Sequence, residues 1–255
     1  MLGIIGGSGF GLGSEARLEE VATPYGGAWL TDFPLGGKDA LFLPRHGPRQ
    51  SVPPHRINYR ANLWVLKQRG ATDIVAAFSV GSLKSSIPAG AIILLDQFLD
   101  FTKSRPTTFF DGEDGRTVHT EMTHPYCPRL RRLLEVAGAA VGVEMLARGT
   151  YVCVEGPRFE TAAEIAMFAA LGGDVVGMTA VPEVVLAREL GMCFAGLAVV
   201  TNLGAGLSAV PPSHREVIEL MGRGGPLIWD VFEEAAKRWS LEDCSCRRAA
   251  GHGVE

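Results

Sequence analysis

Between Tyr151 and Asn202 the chain concentrates side chains of unlike chemistry. Glu155-Gly-Pro-Arg-Phe159-Glu160-Thr161 is followed by Gly177-Met178-Thr179-Ala-Val-Pro182-Glu183 and then by Val200-Thr201-Asn202. A phenylalanine can cover a planar ring, and a carboxylate beside it can accept a ring N–H. A thioether, a hydroxyl and an amide complete the set, each at the end of a predicted element. Together they suit a purine nucleoside: a ring to stack, edges to read, a sugar to underlie and an anion to hold. Taken one at a time, the residue types favour plainer readings. Glu160 then is a solvated turn residue beside the Thr161 cap, Asn202 caps a strand, and Met178 fills core space.

Two upstream loops could hold the anion. Gly6-Gly7-Ser8-Gly9 follows an apolar run, where glycines let backbone N–H groups approach a ligand and Ser8 adds a hydroxyl. The dinucleotide fingerprint fails, because residue 12 is Leu12, and the lysine of a nucleotide-triphosphate loop is missing. A simple tight turn explains the motif equally well. Pro44-Arg45-His46-Gly47 offers several donors, the arginine in a fork. Alone it reads as a solvated loop; beside the glycine loop it forms an anion cradle. Asn58 and Asn62 open a helix and read as structural polar groups.

These residues need a scaffold. The chain has 255 residues, 47% of them hydrophobic, which suits one α/β domain with a large core. A net charge of −4 leaves no basic footprint for nucleic acid. No basic residue precedes Arg17, which argues against a signal peptide. The uncharged run from Gly191 to Ser213 is broken by polar residues, glycines and Pro211, so it reads as a buried strand with its loop. No membrane span is expected, and the protein is placed in the cytoplasm. Cys127, Cys153 and Cys193 read as isolated, inert thiols. Cys244-Ser-Cys246 lies in a polar tail, residues 240–255, without a second ligand pair at zinc spacing, so no metal is expected; a redox or disulfide role is the minority reading.

Apolar runs alternate with helical patterns along a single domain spanning residues 1–255, predicting a mixed, twisted β-sheet flanked by helices. Strands are predicted at Leu2–Ile5, Ala40–Leu43, Asp73–Phe78, Ile92–Leu99, Gly149–Val154, Asp174–Met178 and Phe194–Val200. Helices are predicted at Tyr59–Gln68, Pro128–Ala139, Ala162–Ala170, Pro182–Leu190, His214–Met221 and Pro226–Arg238. Thr161-Ala-Ala-Glu164 and Ser213-His-Arg-Glu216 match capping boxes, and Pro182 suits a first helical turn. Glu160, Thr179 and His214 therefore sit at helix starts, where open α/β sheets collect ligands.

From Gly6 to about Leu220 the chain resembles the trimeric purine nucleoside phosphorylase and methylthioadenosine phosphorylase superfamily, in its methylthioadenosine phosphorylase branch. The landmarks are Gly-Gly-Ser-Gly at 6–9, Arg45-His46-Gly47, Asn58-Tyr-Arg-Ala-Asn62, Gly81-Ser-Leu83, Asp96-Gln-Phe98, Arg105-Pro106, Phe109-Phe110-Asp111-Gly112, Glu155-Gly-Pro-Arg-Phe159 and Met178-Thr-Ala-Val-Pro-Glu183. The resemblance implies the nucleoside phosphorylase fold and reversible cleavage of a purine nucleoside by inorganic phosphate, a co-substrate, with no cofactor. It implies phosphate binding by Ser8, Arg45, His46 and Thr179, ribose contact by Met178 and base contact by Phe159. Where relatives often carry a threonine in the phosphate loop, the nearby hydroxyl here is Ser79. His119 aligns with a residue inserted over the ribose by a neighbouring subunit, implying a homotrimer, or a dimer of trimers, with shared sites.

Three positions bear on the substrate. An ionised Glu160 accepts from N1–H of hypoxanthine or guanine and meets a lone pair in adenine. Asn202 can donate to O6 and accept from N7–H. Adenine-specific members carry a small polar residue and an aspartate at those places. His214 stands where methylthio-specific members carry an apolar residue, and its ring can reach a 5′-hydroxyl. His46, Glu160 and Asn202 are thus expected to serve the chemistry directly. Inosine and guanosine are the expected substrates, with S-methyl-5′-thioadenosine and S-methyl-5′-thioinosine as alternatives.

Overall fold

The structure, a computed structural model, describes residues 1–12, 16–113, 115–209 and 211–249. Its centre is three apolar strands whose side chains are buried on both faces, the pattern of parallel strands covered by helices. They are β1 (Leu2–Gly6), β5 (Asp73–Ser82) and β10 (Cys193–Leu203). Around them run β2 (Glu19–Thr23), β3 (Gly26–Leu35), β4 (Lys38–Pro44), β6 (Ile92–Leu94), β7 (Gln97–Phe101), β8 (Thr150–Val154) and β9 (Val175–Gly177). One path through the sheet reads β2-β3-β4-β1-β5-β9-β8-β7, while β10 pairs with β5 and β6. Parallel and antiparallel pairs coexist, so the sheet is mixed as predicted.

Five helices flank the sheet: α1 (Tyr59–Gln68), α2 (Pro128–Ala140), α3 (Ala162–Ala170), α4 (Ala180–Glu189) and α5 (His214–Arg238). α1 packs with α4, whereas α2 packs with α5 across the other face. One core cluster includes Leu63, Leu66, Phe78, Tyr151 and Phe194. Another includes Phe10, Phe42, Leu130, Ile228 and Phe232. Both predicted capping boxes are present: the Thr161 and Ser213 hydroxyls accept from the Glu164 and Glu216 N–H groups, and each glutamate reaches back. Among the described residues, no helix is long and apolar enough to cross a membrane.

The structure departs from the sequence reading in four places. β2 and β3 form a hairpin that was not predicted. β2 is mostly exposed and charged, and β3 contains Pro34, so neither shows an apolar run. The predicted strand Ile92–Leu99 is two strands, because Ile92–Leu94 pairs with β10 and Gln97–Phe101 pairs with β8. The two predicted C-terminal helices are one, continuing through Pro226. Proline has no N–H to offer the carbonyl of Gly222, four residues before it, so the helix loses one bond there. Buried Val217, Met221, Ile228, Val231 and Phe232 hold the helix to the sheet on both sides of the break. Finally, the tail is not wholly polar surface: Cys246 and Ala249 are buried.

Helix α3 follows the loop of Phe159 and Glu160, the residues expected to face the base. Arg158 grips Glu164 with two N–H groups at 2.8 and 2.7 Å, and Thr161 N donates to the same carboxylate at 2.8 Å. Phe159 and Glu160 lie in the short loop so closed. Thr161→Ala should cost about 1 kcal/mol of stability, the usual worth of a threonine cap. Urea denaturation measures it, and an unchanged midpoint would show that the cap does not hold this loop.

Candidate active site

A cleft opens where the sheet divides. β10 lies along one edge of β5 from Asp73 to Ser82. On the other edge β1 pairs through Ala76, and β9 begins at Gly81. Residues 77–80 have no strand partner on that edge among the described residues. The cleft there has a volume of about 300 Å³. Of the residues predicted from sequence, Ser8, Arg45, His46, Ser79, Phe159, Glu160, Met178, Thr179, Asn202 and His214 all line it. His119 is exposed and does not line this cleft.

The anion end is built around Arg45. Its Nε and Nη2 donate to Glu183 Oε1 and Oε2 at 2.5 and 2.8 Å, and Nη1 donates to the carbonyl of Ala77 at 2.9 Å. This contact satisfies part of the β5 edge that lacks a strand. Arg45 is 2% exposed and Glu183 is fully buried. Burial works against charge on Arg45, yet Glu183 holds the guanidinium firmly protonated. Burial likewise pushes the Glu183 carboxyl up, and Arg45 opposes that push. The expected fork of Arg45 is therefore directed at Glu183 rather than wholly at the cleft. A guanidinium has five N–H groups, so one each on Nη1 and Nη2 remains for a ligand. Gly7 is needed for this packing: a Cβ there would stand 2.4 Å from Arg45 Nη1.

His46 is a neutral base. Burial first, and the Arg45 charge second, bring its pKa down to about 4. Its Nδ1 lies 2.7 Å from the Val52 carbonyl, which can only accept, so Nδ1 carries the hydrogen. Nε2 is then left with a lone pair. Thr179 precedes α4 and makes no side-chain cap bond, while its N–H is held by Tyr151 Oη at 3.2 Å. Thr179 itself lines the cleft.

At the base end, a register shift in the β5–β10 pairing falls between Val200 and Asn202. Such a bulge re-aims a side chain, here at the point where the strand meets the cleft. Asn202 Oδ1 accepts from Thr201 Oγ1 at 3.1 Å, and Nδ2 donates to the Leu203 carbonyl at 3.0 Å. These contacts fix the amide while leaving one N–H and one lone pair. Gly81 gives it room, because a Cβ there would lie 3.2 Å from Asn202 Nδ2. Glu160 is half-buried, and burial raises its pKa, helped by the nearby Glu164 charge and opposed by its own backbone and Arg158. Phe159 is exposed at 40%, open to a stacking partner.

Sequence reasoning assigned no role to Glu183 or Arg105. Arg105 is buried and donates to the carbonyls of Met178, Val181, Val154 and Glu155 and to Tyr59 Oη, at 2.5 to 3.1 Å. It ties the loops after β8 and β9 to α1, and so positions Met178 and Thr179. The available signal for Glu183 was a lone carboxylate in the apolar run Ala180–Leu186. The loop of Gln50, Ser51 and Val52 also lines the cleft, as does Val217 of α5.

The family model described as the phosphorylase superfamily matches residues 1–235. The chain belongs to that superfamily. This phosphorylase is 49% identical to the 6-oxopurine nucleoside phosphorylase of Pyrococcus furiosus over 256 residues, covering 97% of each chain. It is 45% identical to a probable S-methyl-5′-thioinosine phosphorylase of Methanothermobacter thermautotrophicus over 255 residues, 98% of this chain and 88% of the other. Among solved structures, the methylthioadenosine phosphorylase of Schistosoma mansoni in complex with adenine superposes with a TM-score of 0.87 at 33% identity, over 92% of this chain and 89% of that one. The phosphorylase is thus an enzyme with the nucleoside phosphorylase fold.

The geometry makes two demands on the phosphorylase. Glu183→Ala leaves Arg45 buried without its carboxylate, and should destabilise the fold by about 3–5 kcal/mol, more than a paired Arg45→Met/Glu183→Leu replacement. Chemical denaturation of both variants checks the order. His46 titrates near 4 folded against an ordinary 6.5, so the unfolded chain takes the proton first. Its contribution, about 3 kcal/mol, is complete above pH 6.5 and is lost as pH falls toward 4. The stability difference between wild type and His46→Asn should shrink over that window; a flat difference would mean that His46 is not held neutral.

Proposed function

We propose that this phosphorylase cleaves 6-oxopurine ribonucleosides, inosine and guanosine, with inorganic phosphate to give free base and ribose 1-phosphate. The observation that carries this reading is the tethered amide of Asn202 beside the half-buried Glu160 in one cleft. Glu160, ionised, accepts N1–H. The remaining Asn202 N–H donates to O6, and the Oδ1 lone pair accepts N7–H of the departing base. Adenine, with its amino group at C6 and its lone pair at N1, mismatches both.

In this reading phosphate lies against Arg45, His46, Ser8, Ser79 and Thr179. The Nε2 lone pair of His46 accepts the single hydrogen of the hydrogen phosphate dianion, turning a bare oxygen toward the anomeric carbon. As the glycosidic bond stretches, positive charge grows on the ribose beside the anion, and Asn202 and Glu160 stabilise the electron-rich base. The oxygen–carbon bond of ribose 1-phosphate replaces the glycosidic bond, and the proton given up by hydrogen phosphate is balanced by the one N7 takes up from solvent. Fixed charges and positioning carry the rate, with no cofactor required of the chain. His119, exposed and apart from its own cleft, suits the homotrimer in which it covers the ribose of a neighbouring subunit. A cytoplasmic location fits these substrates.

The 5′ end supports a second reading. His214 and Val217, one helical turn apart on α5, both line the cleft, one polar and one buried and apolar. His214 suits a 5′-hydroxyl and Val217 a methylthio group, so S-methyl-5′-thioinosine is the alternative substrate.

Released base decides the matter. Inosine should be cleaved ahead of adenosine by about 10⁴-fold or more, the discrimination available to a site of buried hydrogen bonds. Asn202→Asp should erode that preference, because a second acceptor then faces O6. Efficient use of adenosine or methylthioadenosine by the wild type, without inosine cleavage, rejects the reading. His214→Val should raise methylthioinosine turnover relative to inosine, and an unchanged ratio would remove His214 from the 5′ pocket. Glu160 accepts N1–H only when ionised, so activity on inosine should fall on an acid limb displaced upward from an ordinary carboxyl. Glu160→Gln should abolish that limb.

A further inference from the structure

Four cysteines that are scattered in sequence meet in space. Cys127 caps the start of α2, and Cys193 opens β10. Cys244 and Cys246 belong to the turn Ser245–Arg248 and the residue before it. Their four sulfurs all lie within 4.8 Å of one another, and Cys127 Sγ is 3.6 Å from Cys244 Sγ. The expectation of isolated thiols at Cys127 and Cys193 fails, and the second ligand pair that the sequence did not show beside Cys244-Ser-Cys246 is supplied in space where the tail docks. Cys153 stands apart, its thiol donating to the Val181 carbonyl.

We propose that these four cysteines form a zinc site. Zinc–thiolate bonds of about 2.3 Å place the sulfurs of a tetrahedron roughly 3.8 Å apart, which this cluster nearly provides. On binding, four S–H bonds give way to four S–Zn bonds and the protons pass to solvent; no electron is transferred. The centre carries two negative charges, and the surroundings answer them. Arg188 is 3% exposed, and its Nη1 lies 3.0 Å from Cys246 Sγ. Nη2 reaches Glu121, while Nε is buried without a hydrogen-bond partner. Nη2 already has the Glu121 carboxylate, whereas Nη1 faces sulfur, where its bond becomes charge-assisted on a zinc-bound thiolate. Cys127, at a helix start, is likewise placed to carry negative charge.

Four protein ligands leave no open position, so the zinc is structural. It joins the tail to the beginning of β10, and the nine residue steps from Cys193 to Asn202 span roughly 30 Å of extended chain. Turnover should therefore survive its loss while thermal stability does not.

The test counts metal in the intact chain, purified with reductant and without chelator. Elemental analysis should find about one zinc per chain. Wild-type protein stripped by chelator should take up one equivalent of cobalt(II), with the visible bands and thiolate charge-transfer absorption of a tetrahedral tetrathiolate. Cys127→Ser and Cys246→Ser should each lower zinc content about tenfold or more, and Cys153→Ala should leave it unchanged. The Cys246→Ser enzyme should keep its inosine turnover within about twofold and melt at a lower temperature. Stripped wild type that has free thiols yet gives no cobalt charge-transfer band overturns the site. So does a chain whose four thiols resist alkylation until reduced, since the sulfurs are then paired as disulfides. The cobalt titration uses wild-type protein, so it decides the question even where a serine variant fails to fold.

Discussion

The buried ion pair of Arg45 and Glu183 organises the site end of this fold. Neither side chain has water to fall back on, so each must be satisfied by protein. Glu183 brings the start of α4, and Thr179 with it, to the end of β4. Arg45 in turn occupies the β5 edge that neither β1 nor β9 covers, bonding to Ala77 and lying 4.5 Å from the centre of the Phe78 ring. A split sheet would otherwise expose unpaired carbonyls. Here the group that repairs the edge is a cation with N–H groups to spare, which is what the proposed anion pocket draws on.

Charge is then graded along the cleft. Arg45 is held positive, its neighbour His46 is held neutral by that same charge and by burial, and Glu160 sits at the opposite end with a raised affinity for protons. In the proposed reading a dianion is attracted to one end and a hydrogen-rich ring edge to the other. The two demands do not compete, since the ribose would lie between them against Met178. Arg105 keeps this spacing by holding four backbone carbonyls from the two loops concerned. Its guanidinium acts on the protein rather than on the ligand.

Much of this was legible because it is local. The bounds of α1 and α3 follow from side-chain periodicity and, for α3, the Thr161 box; the cleft residues come from loops that the strand pattern places together. What escaped depends on partners distant in sequence. The β2–β3 hairpin is an exposed edge whose strands carry charge and proline. Pro226 marks a helix end locally, but packing on both sides of it overrides the signal. Nothing near Arg45 announces that its fork will meet a carboxylate 138 residues away. The cysteines are the sharpest case, since ligand spacing was sought along the chain and the grouping exists only in space.

β10 connects the two ends of the molecule. Its first residue, Cys193, belongs to the sulfur cluster; its bulge near the other end aims Asn202 at the cleft. α4 repeats the arrangement in reverse, with Thr179 and Glu183 at the cleft and Arg188 at the cysteines. The Asn202 amide is fixed locally, by Thr201 and the Leu203 carbonyl, and so does not depend on what happens at the far end of the strand. The tail's contacts with α2 and α4 hold the opposite end of the sheet, so they serve the stability of the frame while the cleft keeps its own local supports.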